Sequence, residues 1–142
     1  MKHIVIICLF LLGACSSHNY YSIQQTANIG NVVKESKVGG VHGTFELKIA
    51  GSLRHRGGVF LNTMMDYKSE KNVTIFLTEK FIHKFKKKTG IPPEIYFLGK
   101  RIIVKGKAKR VKYTVYEYGK ETDKFYFQTQ INLNALNQFE EL

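Results

Sequence analysis

The sequence predicts an all-β domain with one short helix, a five-stranded Greek-key barrel whose helix lies between strands three and four. Three observations predict it. Apolar and polar residues alternate with a period of two through five stretches between 44 and 133. Only one stretch, 78–90, carries apolar residues at helical spacing. Glycine-rich and polar clusters separate these stretches as turns.

The elements follow in order. Gly39, Gly40 and Gly43 punctuate the entry to the domain. Phe45, Leu47 and Ile49 then alternate with Glu46, Lys48 and Ala50, a strand with one buried face that Gly51 bends or bulges before Leu53. Residues 54–58, Arg-His-Arg-Gly-Gly, make a basic turn. A second strand follows at 59–66, a polar turn at 67–71, and a third strand at 73–77, with Val73, Ile75 and Leu77 on one face.

Thr78 reads as a helix N-cap, with Glu79 placed to suit the helix dipole. Phe81, Ile82 and Phe85 form one apolar stripe, which points to core packing rather than to a ligand box. Lys86, Lys87 and Lys88 fill the last turn, and Gly90 ends the helix before Pro92 and Pro93. In 100–112, Ile102, Val104, Gly106 and Ala108 share one face, and Ile103, Lys105, Lys107 and Lys109 share the other. The small residues suit a tightly curved strand. The strand continues to Tyr118, 119–123 turns, and 124–133 returns with Phe125, Phe127, Thr129 and Ile131 alternating. Residues 134–142 read as a short polar end, a frayed helical turn at most.

Three strands, a helix and two strands is the order of an OB-fold barrel. The chain also resembles a family of bacterial OB-fold proteins with a nucleic-acid-binding-like domain. Val59-Phe60-Leu61-Asn62 matches that family's second strand, and Asp66-Tyr67 follows as it does there. Phe97-Leu98-Gly99-Lys100-Arg101-Ile102-Ile103-Val104-Lys105-Gly106 matches its Phe-x-Gly-Lys-x-Ile-x-Val-x-Gly pattern. The resemblance covers roughly 44–133 and implies fold more than activity. The segment 113–124 is longer than the family pattern.

The start of the chain carries an address. Lys2 and His3 precede nine apolar residues, 4–12. That run is too short for a bilayer, which needs about 20 helical residues, and it suits the h-region of a secretory signal. Leu12-Gly13-Ala14-Cys15 resembles a bacterial lipobox, which implies cleavage before Cys15 and its lipidation. A chance cysteine after an uncleaved anchor is the alternative. The expected plan is a signal peptide at 1–14, a polar tether at 15–40 on lipidated Cys15, the barrel at 41–134 and a polar tail at 135–142. Within the tether, Ile29, Val32 and Val33 suit a short ordered turn. Ser16 rather than Asp after the cysteine implies, by the same resemblance, an outer membrane facing the periplasm in a Gram-negative host.

Cleavage would remove Cys8 and leave Cys15 alone, so no disulfide framework, thiolate nucleophile or Cys-based zinc site is expected. Lysine and arginine outnumber acids 22 to 11, a balance that favours anionic partners. Catalysis has little support. The acids Glu46, Asp66, Glu70, Glu79, Glu94, Glu117, Glu121 and Asp123 are scattered, and His42, His55 and His83 are separate. No metal or cofactor is expected.

Binding has more support. An OB barrel presents the face of its second and third strands, flanked by the 1–2 and 4–5 loops. Phe60, Tyr67, Phe76 and Tyr126 are the candidate stacking residues, and Arg54, Arg56 and Lys68 the candidate anion contacts. The plain alternative makes Phe60 and Phe76 core residues. Lys105, Lys107 and Lys109 form a line of charge at about 7 Å spacing, either a solvated face or an anion track. The sequence therefore predicts a non-enzymatic envelope lipoprotein that binds a polyanion, lipid head group or oligosaccharide. The alternative is an assembly lipoprotein that recognises an envelope protein. Location at the envelope disfavours nucleic acid as the natural partner.

Overall fold

The structure, a computed structural model, describes residues 19–142. The signal, the lipobox and Cys15 lie outside them. Strand dominates, at 48% against 24% helix, and the sheet is curled into a half-barrel. Eight strands and four α-helices are found among the described residues, where the sequence led us to expect five strands and one helix.

The chain opens with β1 (Tyr20–Tyr21), α1 (Ile23–Ala27) and α2 (Ile29–Glu35). These residues were expected in a tether. Instead Ile29 and Val33, one helical turn apart, are buried with Thr26 against the sheet. Ser22 caps α1 in a reciprocal capping box with Gln25. So few apolar positions cannot sustain a helix pair in water; the sheet supplies the surface that makes it stable.

Next come β2 (Val41–Lys48), β3 (Gly51–His55), β4 (Gly58–Asn62), β5 (Val73–Thr78), α3 (Glu79–Thr89), α4 (Pro93–Tyr96), β6 (Arg101–Glu117) and β7 (Lys120–Leu133). A 3-10 turn (Leu136–Gln138) leads to β8 (Phe139–Glu141). The sheet order is β1-β2-β6-β7-β5-β4-β3, with β8 on β6. Among the described strands, only β1–β2 and β5–β7 pair parallel.

Two residues explain the curl. The Ile49 N–H donates to Lys100 O at 2.9 Å, whereas the next amide, Ala50 N–H, donates to Asn62 O at 2.8 Å. The chain changes neighbours between them. The segment 41–55 thus pairs with β6 through its first half and with β4 through its second.

Local signals place α3 where expected. Thr78 Oγ1 accepts from Phe81 N–H, and Gly90 ends the helix with φ of 74°. Phe81, Ile82 and Phe85 are buried in one core with Leu47, Val59, Ile75, Ile102, Val104 and Ile131. The C-terminal end differs from the expected polar tail. Phe139 lies 5.3–5.8 Å from the rings of Phe81, Phe85 and Phe97, and β8 extends the sheet along Ile102–Val104. The turn expected at 119–123 is also tighter. Tyr118 and Gly119, with φ of 52° and 76°, alone join β6 to β7.

Candidate ligand-binding face

Cross-strand partners share one side of a sheet, so the register maps the face directly. One row runs Gly51–Asn62–Thr74–Gln130–Lys109 across β3, β4, β5, β7 and β6. The adjacent row runs Leu53–Phe60–Phe76–Asn132. Val59, Leu61, Ile75 and Leu77 turn the other way, into the core. Phe60 and Phe76 are therefore half-buried residues of the outer face rather than core.

Aromatic rings run across this face in contact. The Phe60 ring lies 4.9 Å from Phe76, 6.4 Å from His55 and 6.3 Å from Tyr113. Tyr113 stacks on Tyr126 at 5.7 Å, and Tyr126 meets Tyr67 at 6.2 Å. Lys68 Nζ sits 5.8 Å from the Tyr67 ring and 5.6 Å from the Tyr126 ring. Burial pushes the Tyr113 phenol above its ordinary pKa, and burial with the neighbouring Tyr67 and Tyr113 does the same for Tyr126. Both rings stay neutral at ordinary pH.

A polar network fixes these rings. Asn72, fully buried, has its Nδ2 3.1 Å from Asn62 Oδ1, 3.0 Å from Thr74 Oγ1 and 3.2 Å from Tyr67 O, three acceptors that share its two N–H groups. Its own Oδ1 accepts from Met64 N–H at 3.1 Å. Gln128 Nε2 donates to the same Tyr67 carbonyl at 2.7 Å, and the Tyr113 hydroxyl donates to Gln130 Oε1. The 64–71 loop is thereby tied to β7, which carries Tyr67 to Tyr126.

The structure thus brings together Phe60, Tyr67, Lys68, Phe76 and Tyr126 from the sequence-derived set. Lys109 joins them through its row. Lys105 and Lys107 continue along the same side of β6, but Lys107 Nζ donates to Val38 O at 3.1 Å and is partly committed there. Arg54 does not join the face. It opposes Val59, and its guanidinium lies 3.6 Å from both Glu79 and Glu94. Arg56 lies exposed in the β3–β4 turn. Sequence reasoning missed Tyr113, Asn72, Gln128 and Gln130. For Tyr113 a signal existed, since it shares parity with Lys105, Lys107 and Lys109.

Among the described residues, no three His, Cys, Asp or Glu side chains converge on a point. Likewise, no helix among them is long and apolar enough to cross a membrane.

No protein-family model matches the chain, and a search of curated proteins finds no match. Solved structures give distant likenesses. A candidate aspartyl-tRNA synthetase from Leishmania major Friedlin aligns with a TM-score of 0.44 at 7% identity, over 92% of this chain and 22% of that one. This chain therefore spans about a fifth of that protein's length. Schizosaccharomyces pombe Pot1pC bound to single-stranded DNA aligns at 0.36 and 11% identity, over 71% of this chain and 78% of that one. Fission yeast Pot1 with single-stranded DNA aligns at 0.41 and 11% identity, over 78% and 38%. All three TM-scores lie below 0.5, too low for the likeness to assign an activity or a partner.

Proposed function

We propose that this chain is a non-enzymatic lipoprotein of the bacterial envelope whose OB-type barrel binds an anionic ligand on the face from Phe60 to Tyr126. One observation carries the reading: rings in continuous contact share a sheet face with Lys68 and Lys109. Rings of a ligand stacked on such a face contribute about 1–3 kcal/mol each, and the lysines add attraction that weakens with salt.

The OB assignment rests on strand order. If β2 and β3 are two halves of one bent strand, then β4, β5, β7 and β6 follow around the curl and return to it. The helix α3 then falls between the third and fourth barrel strands, as that arrangement requires. The elements β1, α1, α2, α4 and β8 are additions to this plan. The lipobox at 12–15 supports anchoring through lipidated Cys15, in an outer membrane facing the periplasm where the host has one.

Two measurements test the reading. Metabolic labelling with palmitate should mark the chain and fail for Cys15→Ser; a labelled variant or an unlabelled parent rejects the anchor. Titration with lipopolysaccharide, acidic oligosaccharide and single-stranded oligonucleotide at low salt should show a ligand whose binding Tyr126→Ala weakens. No binding to any of these would reject the ligand reading. It would favour instead recognition of an envelope protein, a role that the exposed Tyr116 and Tyr118 at the hairpin tip suit.

A further inference from the structure

We propose that the reverse side of the β6–β7 hairpin carries a second anion site, in which Arg110 and Lys112 hold consecutive phosphates of a phosphodiester polymer. It lies across the hairpin from Tyr113 and Tyr126 and stands whether or not their face binds.

The register separates the two sides. Arg110 opposes Thr129, Lys112 opposes Phe127 and Thr114 opposes Phe125, alternating with the Tyr113–Tyr126 pair. On this reverse side each cation lies over a ring. Arg110 Cζ is 3.6 Å from the centre of Phe127, and Lys112 Nζ is 4.1 Å from that of Phe125. The two rings meet edge to face at 5.6 Å. Both cations are exposed, and among the described residues neither has an acid within 4.0 Å.

This arrangement suits an oxyanion for three reasons. A cation held over a ring has less side-chain freedom to lose when it binds. The guanidinium keeps its N–H edge for a bidentate contact while its flat side rests on Phe127. Finally, the two cations stand at i and i+2 on one strand face, a backbone repeat of about 7 Å, and no acid among the described residues lies within 4.0 Å of either. That spacing selects the polymer. Six backbone bonds separate residues i and i+2 in a strand, and six join successive phosphorus atoms in a phosphodiester chain with a three-carbon linker. The extended repeats therefore match at about 7 Å. Beside Arg110 a small pocket of about 50 Å³ is lined by Lys34, Asn31 and Glu70. Lys34 extends the cationic track, and Glu70 sets its limit.

The test uses the full chain in detergent and an end-labelled oligomer of abasic phosphodiester units, which offers phosphates without rings to stack. The parent should bind it at low salt. The double variant Arg110→Gln with Lys112→Gln should bind about tenfold more weakly or worse. Its log–log salt slope should flatten by about 1.4, the value for two lost single-strand phosphate contacts. Phe125→Leu with Phe127→Leu keeps the charge and fills the space, so it should weaken binding with the slope retained. Tyr126→Ala should leave binding of the abasic oligomer unchanged even where it abolishes binding on the opposite face. A parent that fails to bind overturns the proposal. So does an equal loss in Lys84→Gln with Lys87→Gln, an exposed helical pair of the same charge, because that would be a net-charge effect. An oligothymidylate of equal length separates the sources. Equal affinity assigns a polymer without bases, and tighter binding that Tyr126→Ala removes assigns a single-stranded nucleic acid reaching both sides.

Discussion

Tyr113 and Tyr126 oppose each other on β6 and β7, and their rings stack 5.7 Å apart and 20° from parallel. Each holds the other in place on the face. Tyr113→Ala and Tyr126→Ala should each weaken ligand binding by about 1–3 kcal/mol. The double variant should lose less than the sum, since each single change already frees the remaining ring. Arg54→Gln should leave affinity within about twofold, well under 1 kcal/mol, because its guanidinium is directed to Glu79 and Glu94. Isothermal titration of the parent and these four variants checks this, and a large loss in the Arg54 variant would move the site toward α3.

Asn72 is the member of the polar network with most to lose. Its side chain reaches Asn62, Thr74, the Tyr67 carbonyl and the Met64 amide. Asn72→Ala should destabilise the fold by about 2–4 kcal/mol, since several buried groups lose their partner together. It should also weaken binding through Tyr67. Urea denaturation gives the first and titration the second. An unchanged midpoint would mean that the loop is held by other contacts.

Gly58 allows β4 to pass beneath Phe76. A Cβ there would lie 2.3 Å from Leu77 O and 2.6 Å from Phe76 Cε2. Since the first of these is backbone, Gly58→Ala should destabilise by about 1–3 kcal/mol or more. Thermal unfolding should show it. A variant as stable as the parent would mean that β4 and β5 shift apart at little cost.

Glu141 ties β8 to α4 and the start of β6 and makes that strand acid-sensitive. Its carboxylate accepts from Lys100 Nζ at 2.7 Å and from the Tyr96 hydroxyl at 2.5 Å. These hydrogen bonds, that from Lys100 first, hold its pKa below the usual glutamate value. Charged Glu141 therefore favours the folded strand. Its contribution is complete above the unfolded pKa, about 4.3, and is lost as pH falls through the lower folded value. Protection of the Phe139–Glu141 amides, corrected for the pH dependence of intrinsic exchange, should fall over that range, and in Glu141→Gln should be low already at neutral pH. Equal protection in both proteins would show that Phe139 alone holds the strand.

Legibility varied with how local each cause is. The helix α3 was readable from Thr78, Glu79, the Phe81–Phe85 stripe and Gly90, all within one short segment. Ile29 and Val33 were visible as apolar residues, but their burial depends on a sheet formed much later in the chain. Phe139 is similar, since its partners Phe81, Phe85 and Phe97 come from α3 and the C-terminal end of α4. Asn72 reads locally as an ordinary turn residue, and only its partners across β4 and β5 reveal its role.

The sequence by itself determined which residues alternate, where α3 begins and ends, and that Lys105, Lys107 and Lys109 share one side of a strand. Those are consequences of a period of two, a period of 3.6 and the chemistry of caps. Only the tertiary structure decided which side of each strand faces outward. Alternation is unchanged when the two faces are exchanged, so it cannot choose between them. The choice came from the neighbour switch at Ile49 and Ala50, which curls the sheet around Val59, Leu61, Ile75 and Leu77. That curl leaves Phe60, Phe76, Tyr113 and Tyr126 on the outside together, and sends Arg54 to Glu79 and Glu94 instead.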